Sequence, residues 1–498
     1  MSVRRSSAGS ARAIRAKAPL RAFELSRLTR PQVELLRAVV RAAPRGSAPV
    51  LVGGAVRDAL LGRPPAVDLD VALASGAPET GRRLADALGV AFVPLDTERG
   101  AARVVAPGFR VDLADFRAPT LAGDLAARDF TVNALAVPLR ALLRHGQALI
   151  EDPLGGLADL TKRRLRLAGP GVLADDPVRV LRGVRFAVTL GFRLTPATRA
   201  AIRQAAPTCT SVSAERVRDE VLALLAAPAT ARALRLADRL GVLTAVFPEI
   251  EPMRGTSQPA PHRFDVLEHT LRAVDACDRL LAGLPTLAPF GAELTAHVAE
   301  PLGGGITRRQ ILKLATLLHD VSKPETRRSV RGRVRFFEHD VIGAAKARAI
   351  GERLRLPERA IAVLERLVRH HLRPMHLAAS GELTPRARYR FFRDLGGETR
   401  DLLLLVLSDA SGVRGESPAF LWRRMPLVSE LLAGWEEQRE SLRREPLLRG
   451  GDVMERFGLA PGPEVGRLLA RAREAQDLGL VGTREEALAY LDSPRSDS

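Results

Sequence analysis

The stretch Leu51–Leu73, LVGGAVRDALLGRPPAVDLDVAL, decides how the rest of the chain is read. It is an apolar strand led in by Pro49 and Val50, then a glycine pair, a helix, a proline-containing loop and a second apolar run. Gly53 and Gly54, between strand and helix, let the backbone approach a ligand closely and aim the free N–H groups of the helix start at an anion. Asp68 and Asp70 stand two apart in the run Val67–Leu73, so in a strand they share one face. Two carboxylates held side by side repel unless a divalent cation neutralises them. Mg2+ takes oxygen ligands and commonly bridges to substrate phosphates. A phosphate cradle followed at once by a metal-binding pair points to nucleotidyl transfer.

A chain of 498 residues exceeds one core, and three or four domains are expected. The net charge of +19 implies a polyanionic partner, against a background of Arg, Ala and Leu bias throughout. Aromatic residues are only 4%, which favours RNA recognition by backbone and shape over stacking. No run of 18 apolar residues lacks charges, so no membrane span is expected. Two cysteines, Cys209 and Cys277, fit a reducing compartment, and a cytoplasmic location is expected. Residues 1–30 read as a basic, disordered arm; Met1–Leu20 suits an RNA-touching arm and also a transit peptide. From Phe23 to Val40 the apolar residues Leu25, Leu28, Val33, Leu36 and Val39 recur at helical spacing.

Beyond the opening stretch, a helix is expected from Pro78 to Leu88, then strands at AFVPLD and ARVVAP. FRVDLADFR, Phe109–Arg117, offers a third acidic strand position at Asp112; Asp115, at odd spacing, faces the other way. Two-metal sites commonly need three carboxylates, and Asp112 is the third. The order Gly-Gly, Val-Arg-Asp and Asp-x-Asp resembles the signature of class II tRNA nucleotidyltransferases and bacterial poly(A) polymerases. LAARDFTVNALAV, Leu125–Val137, is similar to that family's RRDFTINALA segment, with Ala127 in place of the first arginine. EDPLGGLADLTKRRLRL, Glu151–Leu167, keeps DPxGGxxDL and reads as the close of the head. The resemblance implies an α/β nucleotidyltransferase head with a polymerase-beta-like palm over residues 31–172. It implies Mg2+ on Asp68 and Asp70 with Asp112, and nucleotide contacts from Gly53, Gly54 and Arg57. It further gives Arg128 a charge role at the incoming nucleotide and Asp129 a ribose hydroxyl.

After Gly169-Pro170-Gly171 the pattern turns helical, and an all-α neck is expected over 173–250. ADDPVRVLRGVRFAVTLGF, Ala174–Phe192, resembles the family's nucleotide-selecting helix, with Asp176 and Arg179 at i and i+3 on one helical face. An Asp that accepts and an Arg that donates match the amino group and ring nitrogen of both cytosine and adenine. Uracil and guanine invert that pattern and leave buried polar groups unpaired. VSAERVRDEVLALLAAP, Val212–Pro228, carries the family's S-x-ER motif, with Ser213 as an N-cap.

Eight of the nine histidines fall between His262 and His376. HRFDVLEHTL, LLHDVSKPETR, FFEHDVIGA, LVRHHLRP and LSDASG together resemble the HD phosphohydrolase superfamily, whose pattern is H…HD…D. The resemblance implies His269, His319, Asp320 and Asp409 as metal ligands, with His339 and His371 for a second metal, in an HD domain over 251–415. Imidazole and carboxylate together suit a transition metal, Mn2+, Ni2+ or Co2+. A helical RNA-binding tail is expected over 416–498. The resulting expectation is CCA addition to tRNA from CTP and ATP, with a hydrolytic activity in the HD domain. Poly(A) addition, CC-only or A-only addition, and an HD phosphohydrolase acting on RNA ends are the alternatives. No membrane and no protein partner are expected.

Overall fold

Strand Val50–Val52 (β1), helix Gly53–Leu60 (α1), strand Asp68–Leu73 (β2) and helix Ala77–Leu88 (α2) follow the order read from the sequence. Strands Ala91–Asp96 (β3), Ala101–Ala106 (β4), Phe109–Asp115 (β5) and Ala136–Pro138 (β6) complete a six-stranded sheet of order β3-β4-β5-β2-β1-β6. In this computed structural model, residues 22–65, 68–379, 381, 383–441 and 444–493 are described. The basic stretch before Ala22, Val67 at the head of the acidic run, and the residues after Ser493 lie outside them.

Strands β2 and β5 are parallel, and the other neighbours are antiparallel. Parallel pairing needs a crossover, and α2 with the β3–β4 hairpin supplies it. The apolar alternation of β2 and β5 buries Leu69, Val71, Val111 and Leu113 on one side. The other face carries Asp68, Asp70 and Asp112. Asp115 does face the opposite way: its Oδ1 accepts the Ala77 N–H at 2.8 Å and anchors the start of α2.

The N-terminal expectation needs correction. In place of a disordered arm to residue 30 and a helix from Phe23, Ala22–Glu24 is a strand paired antiparallel with Gln147–Leu149, and the α-helix begins at Arg30. Phe23 is fully buried, and that anchor overrides the helical periodicity. The helix Arg30–Ala42 starts on a Thr29–Gln32 capping box.

The chain divides into two compact units between Ala205 and Ala206. The helix expected to select the base, Arg179–Thr189 (α3), therefore belongs to the unit that holds the sheet. The second unit is helical around Val266–Gly283 (α4), Arg308–Leu318 (α5), His339–Arg353 (α6), Glu358–His370 (α7) and Thr399–Arg414 (α8). Residues Leu402–Leu407 of α8 are all buried, each side chain worth about 1.5–3 kcal/mol of burial. Gly412 allows α8 to approach α4, since a Cβ there would lie 3.0 Å from the Ala273 nitrogen. The tail helices Gly450–Phe457, Pro463–Asp477 and Arg484–Asp492 share a small core of Val453, Val465, Ala475, Ala487 and Leu491.

Inside the second unit Lys313 is buried, with Nζ 2.8 Å from Asp278 and donating to the Ala227 carbonyl at 2.7 Å. Asp278 also accepts the Ala231 N–H at 2.9 Å. Asp278→Ala strands the lysine charge and is expected to destabilise this unit by about 3–5 kcal/mol. Denaturant midpoints measure this; a loss under about 1 kcal/mol would show that water reaches Lys313.

Candidate functional sites

Three carboxylates converge on the head sheet. Asp70 and Asp112 are directly opposite across the β2–β5 pair, and Asp68 is two residues along β2. Asp68 is gripped by Arg110 (2.6 and 2.6 Å) and Asp112 by Arg103 (2.7 and 2.8 Å), both bidentate. Burial pushes the Asp70 carboxyl above the ordinary carboxylate range; Arg128 and Arg182 oppose this, and Asp112 and Asp68 add to it. The central carboxyl of the group is thus the buried one without a bidentate partner, while a guanidinium stands on each of the outer two. Such a donor set fits a hard divalent cation.

Gly53 opens α1 directly against this group. Its φ is +72°, and a Cβ there would lie 2.5 Å from Asp70 Oδ2. Only glycine allows that approach. Val52, at the N-cap of α1, makes no side-chain cap hydrogen bond, which suits the first N–H groups of the helix to an anion. A Cβ on Gly54 would stand 3.5 Å from the Arg57 guanidinium. Arg57 is buried, donating to Asn133 Oδ1 at 2.6 Å and to Asp58 at 2.8 and 2.9 Å, with its guanidinium 4.9 Å over the Phe186 ring. Its bond to Asn133 ties α1 to the 131–133 turn.

Arg128 pairs with Asp124 at 3.1 Å. Asp129 is buried; Oδ1 accepts the Phe130 N–H (2.7 Å) and Asn133 Nδ2 (2.9 Å), and Oδ2 faces Arg182 at 3.3 Å. Burial alone would raise its carboxyl; Arg182, Asn133 and the Phe130 N–H outweigh this and hold it below the usual range. Arg117, Arg128, Arg179 and Arg182 thus form a basic wall. Burial lowers Arg117 and Arg179, and the neighbouring arginines lower them further.

Asp176 and Arg179 are brought together, but not on one helical face. Asp176 is extended (φ −151°, ψ 91°) between Val172–Asp175 and α3, which begins at Arg179. Pro177 interrupts the helical path, and proline disfavours helical backbone in the residue before it. Arg179 Nε still lies 3.6 Å from Asp176 Oδ2, and Nη1 donates to the Val172 carbonyl at 3.0 Å. Ser213 is at the N-cap of Ala214–Leu225 but makes no side-chain cap hydrogen bond.

In the second unit five segments meet. His269 comes from α4, His319 and Asp320 from the end of α5, His339 from the start of α6, His371 from the end of α7 and Asp409 from α8. Two groups form, His269–His319–Asp320 and Asp320–His339–His371, with potential ligand atoms within 4.8 Å in each. Asp320 belongs to both: Oδ2 lies 3.5 Å from His269 Nε2 and 3.2 Å from His319 Nε2, and Oδ1 lies 3.5 Å from His339 and 3.7 Å from His371. Of the neighbouring pair His370 and His371, it is His371 that faces the cluster.

The tautomers are set by the backbone. His319, His339 and His371 direct Nδ1 at the carbonyls of Thr316 (2.8 Å), Phe336 (3.0 Å) and Val368 (2.7 Å). This turns each Nε2 inward, as metal-binding histidines are held. The Nε2 atoms of His269 and His319 face Asp409 Oδ1 at 3.0 and 3.6 Å without hydrogen-bond geometry. Burial, then His319, push the His371 imidazole down to about 4. Burial opposes charge on His319, but Asp320 and Asp409 outweigh it and push it up to about 10. The convergent buried donors fit a pair of borderline transition metals.

Sequence reasoning missed Arg103, Arg110, Arg182, Asn133 and Lys323. Lys323 Nζ is 2.7 Å from Asp320 Oδ2 and donates to Gln258 at 2.7 Å. For Arg103 and Arg110 a signal exists only once strand register is known.

A model of the poly(A) polymerase head domain matches residues 50–166. One described as a probable RNA and SrmB-binding site of polymerase A matches 191–254, and an HD-domain model matches 266–411. An A-adding tRNA nucleotidyltransferase of Deinococcus radiodurans is 40% identical, the alignment covering 90% of this chain and 95% of that protein. A CC-adding tRNA nucleotidyltransferase of Thermus thermophilus is 37% identical, covering 88% and 92%. Among solved structures, a CCA-adding enzyme in complex with ATP aligns at a TM-score of 0.62 and 19% identity, covering 94% of this chain and 98% of that one. The Thermotoga maritima CCA-adding enzyme complexed with tRNA aligns at 0.58 and 19%, covering 95% and 98%; these two likenesses are of fold. Among the described residues no helix is long and apolar enough to cross a membrane. With a poly(A) polymerase-type head, an HD domain and such relatives along most of its length, the chain is an enzyme of the tRNA nucleotidyltransferase family.

Proposed function

We propose that the head extends the 3′ end of tRNA, adding C, C and A from CTP and ATP without a nucleic-acid template. The observation that carries this is the pairing of Asp70 with Asp112 beside Asp68, with Gly53 pressed against Asp70. In the reaction the terminal 3′-hydroxyl oxygen bonds to the α-phosphorus of the incoming nucleotide as the bond to pyrophosphate breaks. Asp68, Asp70 and Asp112 would hold Mg2+, which supplies charge neutralisation and Lewis acidity at that phosphate. The α1 N–H groups and the arginine wall receive the triphosphate, and Asp129 orients the sugar through a carboxylate held ionised by Arg182.

Asp176 and Arg179 choose the base. Arg179→Ala is expected to lower discrimination against UTP and GTP at least about tenfold, because the donor that leaves those bases mispaired is gone. Competition assays with all four nucleotides test this; unchanged selectivity at reduced rate would remove Arg179 from base reading.

A narrower reading has a specific support: the two relatives reported above are named for A-adding and CC-adding activity. One experiment separates the readings. Purified protein is incubated with tRNA ending before the first C, after one C and after two, with CTP, ATP or both, and product lengths are read. Extension of the shortest substrate through A requires full CCA addition. Extension only of the CC-ended tRNA by ATP, or only up to CC, assigns the partial activity. Long A tracts assign poly(A) synthesis.

For the second unit we infer that His269, His319, Asp320, Asp409, His339 and His371 would hold divalent transition metal, which supplies Lewis acidity for phosphate-ester hydrolysis. The inward Nε2 atoms and the shared Asp320 support this. The substrates expected are phosphate monoesters and cyclic phosphates at RNA ends.

A further inference from the structure

After the short helix Lys323–Thr326 the chain forms a two-stranded hairpin. Arg327–Val330 pairs antiparallel with Arg333–Phe336 across a turn at Arg331 and Gly332. The stretch Arg327–Phe337, RRSVRGRVRFF, holds five arginines and no acid. All five arginines are exposed. Register places Arg328 opposite Arg335 and Val330 opposite Arg333, so Arg328, Arg333 and Arg335 share one face. Like charges directly opposite destabilise a strand pair unless an anion bridges them.

Among the described residues no carboxylate neutralises these guanidiniums. Arg327 reaches Ser257 Oγ at 3.5 Å, and Arg328 donates to the Glu325 and Arg327 carbonyls at 3.3 and 3.1 Å. Among the described residues none of the five pairs with a carboxylate. The nearest acid in sequence, Glu325, is taken by Lys346 at 2.9 Å. Arg331 adopts a left-handed φ of +50°, at a hairpin position that usually takes Asn, Asp or Gly. A fifth positive charge is therefore held at the tip against the backbone's preference.

An exposed aromatic completes the arm. Phe337 is 50% exposed at its base, in a chain with few aromatics. The base is also tied to the HD ligands: the Phe336 carbonyl fixes His339 Nδ1 at 3.0 Å, and Lys323 Nζ lies 5.4 Å from the Phe336 ring centroid. Unpaired arginines on one face beside an exposed ring match a phosphate backbone with unstacked bases, the chemistry of single-stranded nucleic acid.

We propose that the 327–337 hairpin is a binding arm for single-stranded RNA, its arginines on successive phosphates and Phe337 beneath a base, that leads a strand end to the HD ligands. The delivery role rests on the phosphohydrolase reading above, and the RNA contact does not. The alternative use of edge arginines is to prevent strand-to-strand association, and it makes a different prediction.

The test uses the full chain. Binding of a short, fluorescently labelled single-stranded RNA is measured by anisotropy across a salt series, without nucleotide triphosphates. Arg328→Ser with Arg335→Ser is compared with an equal charge loss elsewhere on the second unit, Arg359→Ser with Arg414→Ser. The hairpin variant is expected to flatten the slope of log affinity against log salt by about 1.4, two contacts at about 0.7 each. The control is expected to change it by less than half of that. Phe337→Ala, which leaves the charge intact, is expected to weaken binding about tenfold at constant slope. Equal slopes in the hairpin and control variants overturn the arm, as does increased self-association of the hairpin variant with RNA affinity unchanged. Wild-type protein that binds RNA as expected but hydrolyses no phosphate ester removes the phosphohydrolase reading and leaves the RNA contact standing.

Discussion

Asp70→Ala is expected to lower the rate of nucleotide addition at least about a thousandfold, about 4 kcal/mol of barrier, with tRNA affinity almost unchanged. Asp70 is the central member of the acidic group, paired by backbone register with Asp112 and abutted by Gly53. Its neighbours Asp68 and Asp112 each have a bidentate arginine, whereas Asp70 has Arg128 and Arg182 only as flanking charges. Losing it removes the ligand around which the cation site is built, while the basic surface that binds phosphates stays. Asp70→Asn keeps the shape and removes the charge, so a similar loss in that variant assigns the effect to charge rather than packing. Single-turnover extension and filter binding give the two readouts. Retention of more than about a tenth of the wild-type rate constant, a barrier change of only about 1.4 kcal/mol, would remove Asp70 from the cation site.

Local chemistry in this chain was legible wherever it rests on short periodicities. Alternation fixed the faces of Asp68, Asp70, Asp112 and Asp115, because a strand's side chains repeat every two residues whatever the tertiary context. The glycine pair was legible as a close approach, although its contact with Asp70 was not. The pairs Arg103–Asp112 and Arg110–Asp68 depend on which strands are neighbours and in what register, which spacing along the chain does not encode. Phe23 shows the limit from the other side: its neighbours follow a helical rhythm, but burial against the Gln147–Leu149 strand wins. Asp176 shows it again, since one proline moves the residue off the helix while leaving it within 3.6 Å of Arg179. In the second unit the histidine-rich segments announced ligands. Which of His370 and His371 faces inward depends on a carbonyl at the end of α7, visible only in three dimensions.

His319→Ala combined with Asp320→Ala is expected to abolish stoichiometric binding of Mn2+, Ni2+ or Co2+ by the second unit and to remove phosphohydrolase activity, with nucleotide addition retained. Asp320 is the one residue common to both ligand groups, so its loss disrupts both at once. His319 is removed with it because its Nε2 would otherwise remain 3.6 Å from Asp409 Oδ1 as a residual pair of donors. The remaining ligands come from α4, α6, α7 and α8, each held by its own helix packing, and metal content can therefore be measured on folded protein. Metal analysis after dialysis gives a readout independent of turnover. Hydrolysis of a 2′,3′-cyclic nucleotide and of p-nitrophenyl phosphate, with each ion in turn and Mg2+ for comparison, gives the second. Metal retained at wild-type level in the double variant would place the ions elsewhere. Loss of nucleotide addition in a folded double variant would mean that the head depends on the HD ligands. Their donor types argue against that: the head offers carboxylate oxygens suited to Mg2+, and the second unit offers imidazoles suited to softer ions, so each can be loaded without the other.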